Sequence, residues 1–208
     1  MKSHGITLGL VFLAFSLIAP AAMAGEPNIK DTGIPEFDEV FAKARDLQGA
    51  INTQKSDLAS QRATLNKALG VAEDAPIETA MADLKTKVQG KVQLVMDGRI
   101  PRLKPDDTMP ENLKVGVEAT NKLSESSVQV SDNCKTDLVP RSEDLASKTA
   151  EFPAKVPTLV KNPLEVGKKS GTVKKNAKIV SELPDRAKGL QAESEQTVNA
   201  VTAAFSAP

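Results

Sequence analysis

The chain has 208 residues, 27 basic and 27 acidic side chains, no Trp, no Tyr, six Phe, one Cys and one His. Balanced charge names no acidic or basic partner, and one cysteine excludes a disulfide-stapled fold. An aromatic side chain can bury about 150–250 Å², so their scarcity argues against a thick core and for thin seams between helices, which the abundant Ala, Leu, Val, Lys, Glu and Gln would build.

Lys2 provides a positive start, and no acid appears before Glu26. Residues Ile6 to Ile18 are apolar except for Thr7, Gly9 and Ser16. Pro20 and then Ala22-Met23-Ala24 follow, with small residues at the positions that signal peptidase admits, which puts a cut before Gly25. The apolar run is shorter than the roughly 20 residues needed to span a bilayer core. Residues 1–24 therefore read as a signal peptide, and the expected location is periplasmic or secreted. Loss of the signal removes Lys2 and His4, leaving a net charge of −1 and no imidazole. Residues 25–34, which contain Pro27, Asn28, Asp31 and Gly33, read as a flexible exposed leader.

The remainder, 35–208, reads as one helical-bundle domain. From Pro35 to Leu69 one heptad set is Phe37, Ala44, Ile51, Leu58 and Leu65, and its partner set is Val40, Leu47, Gln54, Gln61 and Ala68. Steps of four and three keep both sets on one stripe of a helix. Pro35 suits the first helical position and Gly70 the stop. A second helix is predicted over roughly Pro76 to Met96, with Asp74 as its N-cap and Ile77, Met81, Leu84, Val88, Val92 and Val95 at helical spacing. Residues 97–110 carry Pro101, Pro105 and Pro110 and read as a Pro-rich extended break, locally basic through Arg99, Arg102 and Lys104.

A third helix is expected from about Glu111 to Leu138, with Leu113, Val117, Thr120, Leu123, Ser127, Val130, Cys134 and Leu138 on one face. Pro140 should interrupt it, and a shorter piece should run from Arg141 to about Glu151. Residues 152–171, with Pro153, Pro157 and Pro163, read as kinked or broken helix. The last helix is expected from about Thr172 to Phe205, kinked at Pro184 and softened by Ser194 and Thr197. No strand alternation is convincing. The expected fold is an all-α, elongated antiparallel bundle with coiled-coil-like long helices.

The missing chemistry bounds function. Without histidine, a processed chain has no Ser-His-Asp or Cys-His pair, and neither a His-based zinc site nor the Glu-x-x-His pair of di-iron bundles can be built. Gly167-Lys168-Lys169-Ser170 has the tail of a phosphate loop but neither its leading glycine nor a preceding strand. Asp106-Asp107 lack the aromatic platform of a sugar site. No catalytic, cofactor or metal residues are assigned, no cofactor is expected, and no small-molecule substrate is evident.

Two features stand out from the rest. Lys168, Lys169, Lys174, Lys175 and Lys178 form a candidate contact for an anion or a membrane surface, within a stretch where Glu165 is the one acid. Solvated lysines balancing acids elsewhere are the plainer account. Cys134 lies on an apolar stripe, where it acts as a small hydrophobe or bridges two chains. Without base-stacking aromatics, nucleic acid is not expected. These features together point to a non-enzymatic cell-envelope protein acting by protein–protein interaction, self-association or scaffolding. The alternative is a membrane-surface or lipid-binding amphipathic helical protein. The motive for self-association is the polar seam, which a second chain could complete.

Overall fold

A computed structural model describes residues 28–206. The expected signal peptide, the expected cleavage site before Gly25 and residues 25–27 lie outside that range.

The protein is mainly helical, as the heptad pattern predicts. Helix α1 (Pro35–Leu69) is followed by α2 (Ile77–Val88), strands β1 (Val92–Asp97) and β2 (Ile100–Pro105), and helices α3 (Glu111–Asn133), α4 (Val139–Ala150), α5 (Phe152–Leu159), α6 (Pro163–Ser181) and α7 (Leu183–Ser206). A π-helical turn at Cys134–Leu138 joins α3 to α4 into one rod of 40 residues, and α6 with α7 makes another of 44. Helix α1 alone is about 50 Å long at 1.5 Å per residue.

These three rods pack along their lengths. Phe37 meets Phe152, while Gly116 approaches Leu69, so α1 and α3–α4 run antiparallel. Ser131 bonds Glu195 and Lys188 pairs with Glu143, which makes α3–α4 antiparallel to α6–α7 as well. Helix α1 then runs parallel to α6–α7, with Arg62 on Glu193 and Lys169 on Gly33.

All five members of the first heptad set of α1 are buried, and Leu47 of the second. Phe41, Gln48 and Leu69 join them. A straight helix drifts about 20° per heptad against a strict seven-residue repeat, so its buried stripe migrates around the rod. Gly70, at φ 70°, ends α1, with Val71 N–H donating to the Asn66 carbonyl. The polar seam expected on α3 and α7 is closed within the chain. Ser127, Ser194 and Thr197 are buried, and the last two hydroxyls donate to carbonyls four residues back. Small side chains let the rods approach closely, and no second chain is needed to cover them.

Five expectations are corrected. Helix α2 stops at Val88, because Gln89 (φ 46°) and Gly90 (φ 78°) turn the chain in the left-handed region. Its N-cap is Pro76, not Asp74. Residues 92–105 are a β-hairpin rather than helix and linker, with Val92 opposite Pro105 and Asp97 opposite Ile100. Gly98 (φ 60°) takes the first position of its two-residue turn, as a type II′ hairpin requires. Pro140 does not interrupt α3–α4. Val139 N–H reaches back five residues to the Cys134 carbonyl, and this wider turn places Pro140 at the start of a fresh helical register, where its missing donor is tolerated. Residues 28–34 are not an exposed leader either, since Ile29, Thr32 and Ile34 are buried.

The proline-rich stretch breaks as expected. Helix α5 contains Pro157 and ends at Leu159, and Asn162 restarts the chain as α6 by accepting the Leu164 N–H through Oδ1 at 3.0 Å.

Candidate interaction surfaces

Of the five lysines picked out in the sequence, α6 divides four from one. Lys168, Lys174, Lys175 and Lys178 are exposed. Lys169 turns the other way, donating to the Gly33 carbonyl at 3.1 Å and lying 3.3 Å from Glu165. It clips the leader to α6 and does not belong to the surface patch. The inward face of α6 is Val173, Asn176 and Val180, all buried. The sequence did not reveal Lys30. The docked leader brings it beside Lys175 and Lys178 at a depression of about 440 Å³.

Cys134 is fully buried and unpaired, in the π-helical turn. Burial pushes its thiol up to about 11. The thiol is enclosed rather than presented at the surface, the setting of a small core hydrophobe. A native thiol-labelling assay should show no reaction until denaturant is added. The raised value also carries a stability signature. A thiol that is harder to ionise in the folded state contributes stability below the unfolded value of roughly 8.5–9, and that contribution is lost as pH rises towards about 11. Between those limits the native chain should lose about 3 kcal/mol more than Cys134→Ala does. Urea unfolding of both proteins across that range checks it, and parallel curves would refute the assignment.

The hairpin forms the most elaborate surface. It lies on α3, where the Asn121 side chain mimics a third strand: Leu103 N–H donates to its Oδ1 at 2.7 Å, and its Nδ2 donates to the Leu103 carbonyl at 2.9 Å. Arg99 pairs with Asp132, and Arg102 lies 3.3 Å from Glu125 and 3.2 Å from Asp97. Two basic residues of the expected linker, Arg99 and Arg102, thus tie the hairpin to acids of α3. Nearby, Glu195 accepts from Gln191 and from Ser131, at 3.0 and 3.1 Å, and these bonds hold its carboxyl below the ordinary range.

Docking on that side leaves the far side of β1 open. There a groove of about 650 Å³ runs between β1, the end of α2 and the last turn of α7. Val88, Val92, Leu94 and Phe205 supply its apolar surface and Lys85 its charge. Among the described residues no group of three or more His, Cys, Asp or Glu side chains could hold a metal ion, and no helix is long and apolar enough to cross a membrane.

The chain matches no protein-family model, no curated protein and no solved structure.

Proposed function

We propose that this chain is an exported, non-enzymatic interaction protein of the cell envelope that holds a protein partner at its hairpin end. The observation that carries this is the groove beside β1. Strand β1 pairs only with β2 among the described residues, so alternate backbone N–H and C=O groups point away from the hairpin. An extended segment laid along that edge would gain main-chain hydrogen bonds, while the groove's apolar side chains would accept its inward residues. The groove is lined by Lys85, Val88, Gly90, Val92, Gln93, Leu94, Phe205 and Ser206, among which there is no acid, thiol or imidazole, a lining suited to binding.

A photo-crosslinking residue at Gln93, in intact cells, tests the proposal. The expected result is a discrete adduct that Leu94→Asp abolishes and that a crosslinker on the exposed face of α6, at Gly171, does not form. Absence of an adduct at Gln93, with a strictly monomeric species by size-exclusion and light scattering, would overturn it. An amino terminus other than Gly25 on the purified protein would remove the export step.

A further inference from the structure

We propose that the solvent-facing stripe of α6, with the corner that precedes it, docks on an anionic lipid surface. Leu164, Lys168, Gly171, Lys175 and Lys178 follow one another at steps of four and three, which puts them on a single line along the helix. The opposite line, through Lys169, Val173, Asn176 and Val180, packs inward. The stripe is therefore directed away from the protein. Its next position is Glu182, which Arg186 already partners at 3.5 Å. Between Val166 and Ser181 the helix carries five lysines and no acid.

Three observations favour a bilayer over a soluble polyanion or an acidic protein. Leu164 is 90 % exposed at the very start of the stripe, and Leu159, across the Pro163 corner, is 41 % exposed. Water-exposed leucines beside Lys161 and Lys168 match the interface between headgroups and acyl chains, which takes an apolar side chain and an ammonium group at adjacent depths. A polyphosphate has no use for the leucines. Next, Gly167 and Gly171 lie among the lysines, and a Cβ at either would meet nothing. Packing against the rest of the protein therefore does not call for them, and they leave the helix surface low where a broad, flat partner would approach. Finally, Lys30 joins Lys175 and Lys178 around the depression at the side of the stripe; Glu182 lines it too, but is held by Arg186, so the amines outnumber the acid where a headgroup phosphate would sit. This inference is independent of the hairpin groove.

Vesicle flotation of the purified protein tests it, using phosphatidylcholine vesicles with and without phosphatidylglycerol, and soluble heparin as a competitor. Binding is expected only to the phosphatidylglycerol vesicles, at low salt, and to fade at high salt. Each of Lys168→Gln, Lys175→Gln and Lys178→Gln should weaken partitioning about fivefold. Leu164→Gln should weaken it about tenfold without changing affinity for heparin. All four positions are exposed, so circular dichroism should not change. No flotation at low salt would overturn the proposal. So would flotation indifferent to Leu164→Gln, or heparin binding that tracks vesicle binding through every variant, which would identify a generic polyanion patch.

Discussion

Phe41→Ala is expected to lower the stability of the folded chain by about 3–5 kcal/mol. Phe41 is fully buried and meets Phe152 edge-on, with ring centroids 5.6 Å apart and planes at 85°. Phe37 stacks on the other side of Phe152 at 4.1 Å and 7°. These three rings fasten α5 to the first third of α1, in a chain with few aromatic side chains to spread among other contacts. Removing the Phe41 ring costs its transfer from water and leaves a cavity between α1 and α5 that cannot easily close. The edge-to-face contact adds about 1 kcal/mol beyond area. Urea unfolding at 25 °C, followed by circular dichroism, reads the loss directly. Phe205→Ala is the control, because that ring is only partly covered beside the groove. It should cost less than half as much. Equal costs for the two would mean that the cluster is not the anchor its geometry describes.

Where repetition encodes structure, the sequence was legible. The heptads of α1 located a helix from Pro35 to Leu69 with its buried stripe, and Gly70 located its end. A break somewhere within 152–171 was readable too, since a missing donor acts locally, but the break falls at 160–162 and the helix expected from Thr172 already starts at Pro163. What escaped depends on contacts between distant segments. Val92 and Val95 fit a helical period, while Val92 and Leu94 fit the alternation of a strand. Only the Gly98-Arg99 turn, with Ile100 and Leu103 beyond it, separates the two. Two prolines concealed β2, yet Pro101 is tolerated at an edge whose next neighbour is a side chain, Asn121, rather than a strand. The π-helical turn ahead of Pro140 left no periodic trace, because one inserted residue is all that it adds.

The lysine cluster was visible as composition, but its sorting was not. The 100° turn per residue could have separated Lys169 from Lys168, Lys175 and Lys178, since it places Lys169 on the side of Val173. Leu164 carried no sequence signal. An exposed leucine differs from a buried one only once the fold shows what covers it, and here little does, at 90 % exposure. Nor could the groove beside β1 be anticipated while Val92 and Leu94 were assigned to a helix.

Asn176→Ala should release the leader and cost about 2–3 kcal/mol. Asn176 is 1 % exposed, inside the seam between α6 and residues 28–34. Its Oδ1 accepts the Lys30 N–H at 3.1 Å, and its Nδ2 donates to the Lys30 carbonyl at 2.5 Å. This two-bond clasp repeats what Asn121 does for Leu103, so in both places a buried amide stands in for a neighbouring strand. Alanine leaves two half-buried backbone groups of Lys30 without their protein partner beside the depression. They regain full hydration as the leader peels away, and that exposes Ile29, which is 1 % exposed in the intact fold. Farther along, the leader is held by Asp38, which accepts from Thr32 and Gly33, and by Arg45 on Asp31 at 2.6 Å. Release should therefore begin at residues 28–30 and stop at Thr32. Limited proteolysis with mass spectrometry should show new cleavage there in Asn176→Ala, while Asn162→Ala, which removes only the cap of α6, should cost at most about 1 kcal/mol and leave the leader resistant. If stability falls but the leader stays resistant, Asn176 acts by packing alone. If both change, the chain before α1 belongs to the fold because one buried amide completes its hydrogen bonds.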